Sequence, residues 1–340
     1  MELPIIGITM GDPTGVGPEV IIKALKNPKV RSTVRCVILG DKNVIVKHSK
    51  MFKISLPLVD VTEHSINSFT NKNIGMLKVS NLDPDRLQFG RPDKICGKAM
   101  VNYLKTGADL ATRGLIDGMV TSPINKEIIN EAGIQYPGQT ELLADLTHTE
   151  DYAMMLAGEK VKVALVTTHC PLREVNMLIT PGRVLKTIKL FNTTLIQYFG
   201  INEPRIAVAA LNPHAGEGGL FGLEEKELIQ PAIKRAQTLK LNVDGPFPSD
   251  TLFHFVLENK FDGVVCMYHD QGLIPLKMHH FSDAVNITLG LPIVRTSADH
   301  GTAYDIAGEN IADPTSMISA ILFAAKMIHF RKQRAKSGIG

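Results

Sequence analysis

The 340-residue chain has no tryptophan, few other aromatic residues and little excess charge. Aromatic residues make up 6% of the chain, and the formal net charge is +3. A basic surface interleaved with aromatic side chains, which is typical of nucleic-acid binding, is therefore not expected. No apolar run approaches the ~20 residues that span a bilayer, and no secretory signal pattern opens the sequence. We expect a cytoplasmic protein with no nucleic-acid or membrane partner.

Cysteine is also scarce, with four residues and no paired metal-type spacing. Cys36 and Cys266 lie in apolar runs, where a buried free thiol is the usual occupant. Cys170 directly follows His169, and for it we favour a free thiol over a soft metal ligand.

Short apolar runs alternate with amphipathic stretches, a pattern that predicts an α/β fold. The predicted strands are residues 4–10, 35–39, 118–121, 161–166, 206–211 and 263–267. The predicted helices are residues 97–113, 183–199, 224–239, 251–258 and 316–330. The length is sufficient for two medium domains, and the lack of a flexible linker indicates that the chain crosses between them more than once.

Three histidines, His169, His214 and His269, each come shortly after one of these strands. Because open α/β sheets place their ligands at the carboxyl ends of their strands, we expect the three imidazoles to meet at one site. Imidazole is a good metal ligand, and three of them leave coordination positions open for a substrate. The pattern favours a catalytic divalent metal. For each histidine taken alone, the alternative is a structural residue at a strand end whose hydrogen bonds are satisfied within the protein.

A glycine-rich segment follows the first strand and reads Gly11-Asp12-Pro13-Thr14-Gly15-Val16-Gly17-Pro18-Glu19. Such a turn before a helix lets the backbone approach a phosphate or a flat ligand closely, although a tight turn without a ligand is the alternative. It matches neither the Rossmann fingerprint nor the P-loop. A second polar segment, running from Asp299 to Gly308, precedes the last predicted helix.

Both segments resemble those of the isocitrate and isopropylmalate dehydrogenases, in which the second holds the adenosine of the cofactor. Nearly the whole chain resembles more closely another family of that fold, the 4-hydroxythreonine-4-phosphate dehydrogenases of vitamin B6 biosynthesis. Beyond the opening segment, the likeness rests on residues 121–123, 167–169, 212–219, 250–253, 268–272 and 285–292. The resemblance implies two α/β/α subdomains with a cleft between them. We expect a cofactor-side domain of residues 1–134 and 296–340, and a metal, substrate and dimerisation domain of residues 135–295.

The resemblance also implies the cofactors. In that family the histidines matching His169, His214 and His269 bind a divalent metal, and one of them is contributed across the interface of a homodimer. The expected metal is zinc, cobalt, manganese or magnesium, and imidazole ligands suit the first three better than magnesium alone. A nicotinamide cofactor, NAD or NADP, is implied beside the two polar segments. The residues expected to bind it are Gly11, Asp12, Thr14, Gly15, Gly17, His300, Gly301, Thr302 and Asp305.

The expected substrate is a small phosphorylated hydroxy acid. The resemblance implies that Lys277, Asn286 and Arg295 contact it, and Lys with Arg suits a phosphate monoester. For Lys277 the alternative is a solvated loop lysine, and for Arg295 it is an internal salt bridge. Gln139 and Thr140 are further expected contacts. Many family members have histidine at the position of Gln139, so this chain replaces a titratable group by a neutral amide, which bears on substrate preference or pH dependence.

The implied reaction is oxidation of 4-phosphohydroxy-L-threonine at its 3-hydroxyl, with decarboxylation to 3-amino-2-oxopropyl phosphate. A divalent metal assists both steps by stabilising negative charge on the oxygen. Asp250 is the first candidate for the proton acceptor and Asp270 the second, and an N-cap is the competing role for Asp250.

Other functions fit the same residues. Oxidation of 4-phospho-D-threonate or erythronate, in sugar-acid catabolism, is the alternative within this class. Outside it, a metal-dependent hydrolase and a non-catalytic metal-binding protein are the alternatives. The cofactor-like segment around His300 argues against a hydrolase.

Overall fold

The computed structural model of the protein describes residues 2–337. The strands in chain order are β1 Ile5–Thr9, β2 Arg35–Gly40, β3 Leu58–Asp60, β4 Ile74–Lys78, β5 Gly118–Thr121, β6 Ala153–Ala157, β7 Lys162–Leu165, β8 Ile206–Ala209, β9 Val243–Phe247, β10 Gly263–Cys266, β11 Val285–Leu289 and β12 Val294–Ala298. The helices are α1 Gly17–Leu25, α2 Pro28–Thr33, α3 Lys42–Met51, α4 Lys94–Thr112, α5 Lys126–Glu131, α6 Gln139–Leu146, α7 Leu172–Leu178, α8 Pro181–Phe199, α9 Gln230–Thr238, α10 Ser249–Leu257, α11 His269–His279 and α12 Thr315–Ser337. The predicted α/β class is confirmed.

The chain forms two compact units. The first comprises the residues up to Glu150 together with Leu291–Lys332, and the second comprises Asp151–Gly290 with the described residues after Lys332. The chain therefore crosses between the units more than once. The division into residues 1–134 with 296–340 and residues 135–295, and the functional assignment of each domain, stay predictions.

The first unit holds six strands in the order β3-β4-β2-β1-β5-β12, and every neighbouring pair is parallel. All five residues of β1, with the sequence IIGIT, are buried. A continuous apolar run is typical of a strand covered on both faces. Helix α1 starts at Gly17, within the glycine-rich segment, and Pro18 lies in its first turn, where the missing N–H of proline costs no helical bond.

The second unit holds the order β11-β6-β7-β10-β8-β9. Strand β6 is antiparallel to both of its neighbours, whereas β7, β10, β8 and β9 pair in parallel. Buried side chains of β7, β8, β10, α10 and α11 form one hydrophobic core. Because β7, β10 and β8 are consecutive and parallel, the loops that follow them leave the sheet at one edge. The loops after β7 and β8 carry His169 and His214, and His269 begins the helix that the loop after β10 enters.

The helix predicted over residues 224–239 is present, with a π-helical turn, Glu225–Ile229, directly before α9. Pro231 in the first turn of α9 has no N–H, and its ring crowds the carbonyl four residues earlier, so regular α-helical bonding cannot continue there. Asp250 is not an N-cap, since α10 begins at Ser249 and Pro248 occupies the cap position.

Among residues 2–337, no helix is long and apolar enough to cross a membrane.

Candidate active site

His169 and His269 face one another in the second unit. His169 lies in the loop after β7, and His269 begins α11, directly after the loop that leaves β10. Their ring centroids are 5.5 Å apart, and the ring planes are inclined by 46°. The adjacency of two parallel strands thus brings together two of the three predicted imidazoles.

Asp270 fixes the orientation of His269. Nδ1 of His269 lies 2.7 Å from Oδ1 of Asp270. A carboxylate at this nitrogen favours the tautomer with the proton on Nδ1, which leaves Nε2 with a lone pair for a metal.

A cavity of about 450 Å³ opens beside the two histidines. It is lined by Thr168, His169, Cys170, Pro171, Leu172, Val175, Tyr268, His269 and Asp270. All nine residues belong to the loops after β7 and β10 or to the helices that these loops enter. Asp250 does not line it and is exposed in the first turn of α10. Cys170 is a partly buried free thiol at the cavity wall.

His214 does not join this pair within the chain. Within residues 2–337, no group of three His, Cys, Asp or Glu side chains is arranged to hold a metal ion. The ring of His214 instead lies near Phe221, with centroids 6.2 Å apart. Strand β8 lies beyond β10 in the sheet, so the loop after it starts farther from His169 than the loop after β10 does.

The loop that carries His214 has an unusual backbone. Five consecutive residues, His214 to Gly218, have positive φ angles between 41° and 77°. Three of them are not glycine, and left-handed conformation costs an L-residue roughly 1–2 kcal/mol. Such strain persists only where neighbouring groups hold the chain in place.

Arg295 is a buried, hydrogen-bonded cation in the first unit. It is 3% exposed, and its Nη2 donates to Oγ1 of Thr121 at 2.8 Å and to Oε1 of Gln139 at 3.1 Å. Burial lowers the pKa of Arg295 to about 10, and the charge of Glu141 opposes this shift. The guanidinium therefore remains cationic at neutral pH.

Gln139 bridges Ser122 and Arg295 through its side-chain amide. Its Nε2 donates to the carbonyl oxygen of Ser122 at 3.0 Å, while its Oε1 accepts from Arg295. The amide thus orients the guanidinium, and Thr140 follows it in the first turn of α6. Thr121 and Ser122, which contact Arg295 and Gln139, were not among the predicted site residues. Their position at the end of β5, in the family-like residues 121–123, was the signal that could have identified them.

Two other predicted substrate residues lie in the second unit. Lys277 is half-buried in α11, and Asn286 is half-buried in β11. Oδ1 of Asn286 is buried and has no hydrogen-bond partner within the described part of the chain. A buried unsatisfied acceptor is unfavourable, so this atom is suited to receive a hydrogen bond from a ligand.

The two polar segments of the first unit pack directly on each other. Tyr304 donates its phenol proton to Oδ2 of Asp12 at 2.5 Å, and the N–H of Val16 donates to the carbonyl of Thr302 at 2.9 Å. Oδ1 of Asp12 accepts from both the N–H and the hydroxyl of Thr14. Gly11 has φ +72°, and a Cβ there would lie 2.4 Å from the carbonyl oxygen of Pro123.

The glycine-rich segment is therefore buried and packs against the polar segment that contains Thr302 and Tyr304. All residues from Gly11 to Gly17 are buried, whereas Gly301 and Asp305 are exposed and Thr302 is half-buried. Within the described residues, Nε2 of His300 is buried without a hydrogen-bond partner. A Cβ at Gly301 would meet no atom of residues 2–337 within 4 Å. The open, unsatisfied part of this region is thus the loop at residues 300–305.

Fold and site together define an α/β enzyme whose ligand-binding side chains lie at the carboxyl ends of parallel strands. The chain matches the family model described as pyridoxal phosphate biosynthetic protein PdxA over residues 32–324. It is 50% identical over 322 residues to the 4-hydroxythreonine-4-phosphate dehydrogenase of Desulforapulum autotrophicum, which covers 95% of each chain. The chain belongs to the PdxA family.

Two further comparisons place it within that family. The crystal structure of 4-hydroxythreonine-4-phosphate dehydrogenase from Klebsiella pneumoniae is 40% identical, with a TM-score of 0.88 over 96% of this chain and 99% of that chain. A relative from Oceanobacillus iheyensis with the provisional name D-threonate 4-phosphate dehydrogenase is 44% identical over 94% of this chain and 96% of its own. The chain is an oxidoreductase, which sets aside the hydrolase and the non-catalytic metal-binding protein.

Proposed function

We propose that the chain catalyses the NAD(P)-linked, metal-dependent oxidation of 4-phosphohydroxy-L-threonine at its 3-hydroxyl, with decarboxylation to 3-amino-2-oxopropyl phosphate. The observation that carries this proposal is the pair His169 and His269, whose rings are 5.5 Å apart at the wall of an open cavity. The relative from Desulforapulum autotrophicum supports the choice of substrate. Pyridoxal phosphate biosynthesis in the cytoplasm is the role that we propose.

A divalent metal fits the residues of this cavity. His169 and His269 would hold it, since both offer an imidazole to one cavity and Asp270 leaves Nε2 of His269 available. His214 does not reach this pair in the chain itself, which supports the proposal that one of the three ligands comes from the second subunit of a homodimer. When bound, the metal supplies a Lewis acid for the hydroxyl oxygen of the substrate, and zinc, cobalt or manganese suits imidazole better than magnesium.

A nicotinamide cofactor fits the loop at residues 300–305. Nε2 of His300 is buried and has no hydrogen-bond partner among residues 2–337, and this atom and the open space at Gly301 support contacts with a ligand there. Both carboxylate oxygens of Asp12 accept hydrogen bonds from other protein groups. We therefore propose that Asp12 and the buried glycines support the conformation of this loop and do not contact the cofactor. NAD and NADP both remain candidates.

The polar side chains have separate proposed roles. Arg295 is a pre-organised cation for the substrate phosphate, because Thr121 and Gln139 fix its guanidinium before any ligand arrives. Lys277 and Asn286 are proposed as further substrate contacts. Of the two candidate proton acceptors, the geometry favours Asp270 over Asp250, since only Asp270 lines the cavity.

A homodimer is supported by apolar side chains that the second unit exposes. They belong to α7, to α11 with Phe281 just beyond it, and to the loop after the left-handed turn formed by residues 214–218. Large exposed apolar groups on neighbouring segments are typical of protein interfaces. These residues are Leu172, Met177, Leu220, Phe221, Leu223, Ile274, Met278 and Phe281. We propose that they pack against a second copy of the chain.

The test is to follow the absorbance of reduced nicotinamide when protein, metal and NAD or NADP are mixed with 4-phosphohydroxy-L-threonine, with 4-phospho-D-threonate in parallel. Faster reduction with the amino acid is expected. Reduction with the sugar acid alone would overturn the substrate and favour the alternative, for which the neutral Gln139 beside Arg295 is the supporting observation. No reduction with either compound would contradict both.

A further inference from the structure

The left-handed turn at His214 is anchored by one buried carboxylate. Glu225, at the start of the π-helical turn, is 3% exposed. Its Oε1 accepts from the backbone N–H of Leu211 at 2.8 Å and of Asn212 at 2.7 Å. Its Oε2 accepts from Nδ2 of Asn212 at 3.0 Å, and the same Nδ2 also donates to Oε2 of the half-buried Glu224 at 2.7 Å. Glu225 therefore holds the two residues that lead into the turn.

The same carboxylate also bounds the middle of the turn. A Cβ at Gly216, which has φ +77°, would lie 2.7 Å from Oε2 of Glu225. The turn thus contacts Glu225 at its entry and at its centre, on both sides of His214. A backbone with three non-glycine residues at positive φ needs such external anchoring to keep a single conformation.

We propose that Glu225 is a positioning residue, which fixes the direction in which His214 presents its imidazole to the metal. The inference rests on the proposed function, because it takes His214 as a metal ligand. Without the carboxylate, the N–H groups of Leu211 and Asn212 lose their acceptor and the turn can relax from its left-handed conformation. His214 would then have to be reordered each time a metal binds, which weakens the metal affinity.

The experiment compares metal affinity in the full-length, metal-depleted protein, by competition with a chromophoric chelator for Zn²⁺ or Co²⁺. The variants are Glu225→Ala, Glu225→Gln, His214→Ala and, as the matched control, Glu227→Gln, which removes an exposed charge from the same helical turn. Glu225→Gln keeps a carbonyl oxygen for the two backbone N–H groups. Measurements are made at a temperature where circular dichroism shows every variant folded. A merely structural role would lower the unfolding temperature but leave the affinity of the folded protein unchanged.

We expect Glu225→Ala to bind metal more weakly by on the order of tenfold or more, Glu225→Gln to be intermediate and Glu227→Gln to match the wild type. Amide hydrogen exchange of residues 211–219 in the metal-free protein should be faster in Glu225→Ala, with α9 unchanged. Wild-type affinity in Glu225→Ala together with loss of metal in His214→Ala would overturn the positioning role alone. Wild-type affinity in both would overturn the metal assignment of His214 and the inference with it.

Discussion

Tyr304→Phe tests how the two polar segments of the first unit are joined. The substitution removes only the hydroxyl that donates to Asp12 and accepts from Nδ2 of Asn125 at 2.9 Å. Burial, with the hydrogen bond and charge of Asp12, raises the pKa of Tyr304 far above its ordinary value, so the phenol stays protonated as a donor. The carboxylate of Asp12 is completely buried and would lose its partner at Oδ2.

The magnitude follows from the type of bond. A hydrogen bond to a charged, buried acceptor contributes about 1.5–3 kcal/mol, and we expect a loss near the middle of this range because water can partly reach Tyr304. A loss of about 2 kcal/mol lowers the unfolding temperature of a unit of this size by roughly 4–8 °C. Urea denaturation measures the free energy of unfolding directly. The Michaelis constant for the nicotinamide cofactor should also rise, since the loop at residues 300–305 loses its anchor.

Tyr136→Phe is the matched control. Tyr136 also donates to a carboxylate, Oδ2 of Asp145 at 2.5 Å, but this bond lies at the surface. We expect a loss below about 0.5 kcal/mol, because water replaces the lost partner. Equal losses in the two variants, or wild-type stability in Tyr304→Phe, would refute the reasoning.

Three further predictions concern the second unit. Gly263→Ala would place a Cβ 2.3 Å from the ring of the buried Phe191, so denaturation should show a destabilisation of about 1–3 kcal/mol. For Asp262, burial raises the pKa, but the hydrogen bonds and charge of Arg205 outweigh it and hold the pKa below its ordinary value of 3.8. Asp262→Asn should therefore have a lower free energy of unfolding than the wild type at neutral pH. The difference in unfolding free energy between the two proteins should become smaller as the pH falls below 3.8, and a difference that grows in acid would contradict this. Phe281→Glu charges a side chain that is 82% exposed, and light scattering should show a shift from dimer to monomer without unfolding.

Much of the fold follows from apolar periodicity. Strand β5, predicted and found at residues 118–121, is a short run in which all four residues are buried. Helix α8 is delimited by local chemistry, since Thr180 caps its start and Gly200 ends it at φ +70°. The pairing of His169 with His269 follows from the order of β7 and β10 in the sheet, which the strand-end rule anticipates.

The remaining features depend on contacts between residues distant in sequence. The left-handed turn at His214 depends on Glu225, and a pattern of prolines and glycines does not specify which carboxylate anchors it. The buried Asp12 of the glycine-rich segment accepts a hydrogen bond from Tyr304, which lies almost the whole chain away in sequence. The sequence predicts a substrate contact for Gln139, but its bridge to Arg295 joins residues that are 156 positions apart, which local sequence does not specify.

The most direct test of the central claim is the metal content and turnover of His269→Ala beside His254→Ala, which removes an exposed histidine of α10 that lies outside the cavity. The account predicts that His269→Ala remains folded but loses bound metal and the reduction of nicotinamide together, while His254→Ala retains both. Wild-type metal content and turnover in His269→Ala would contradict the assignment of the cavity as the metal site.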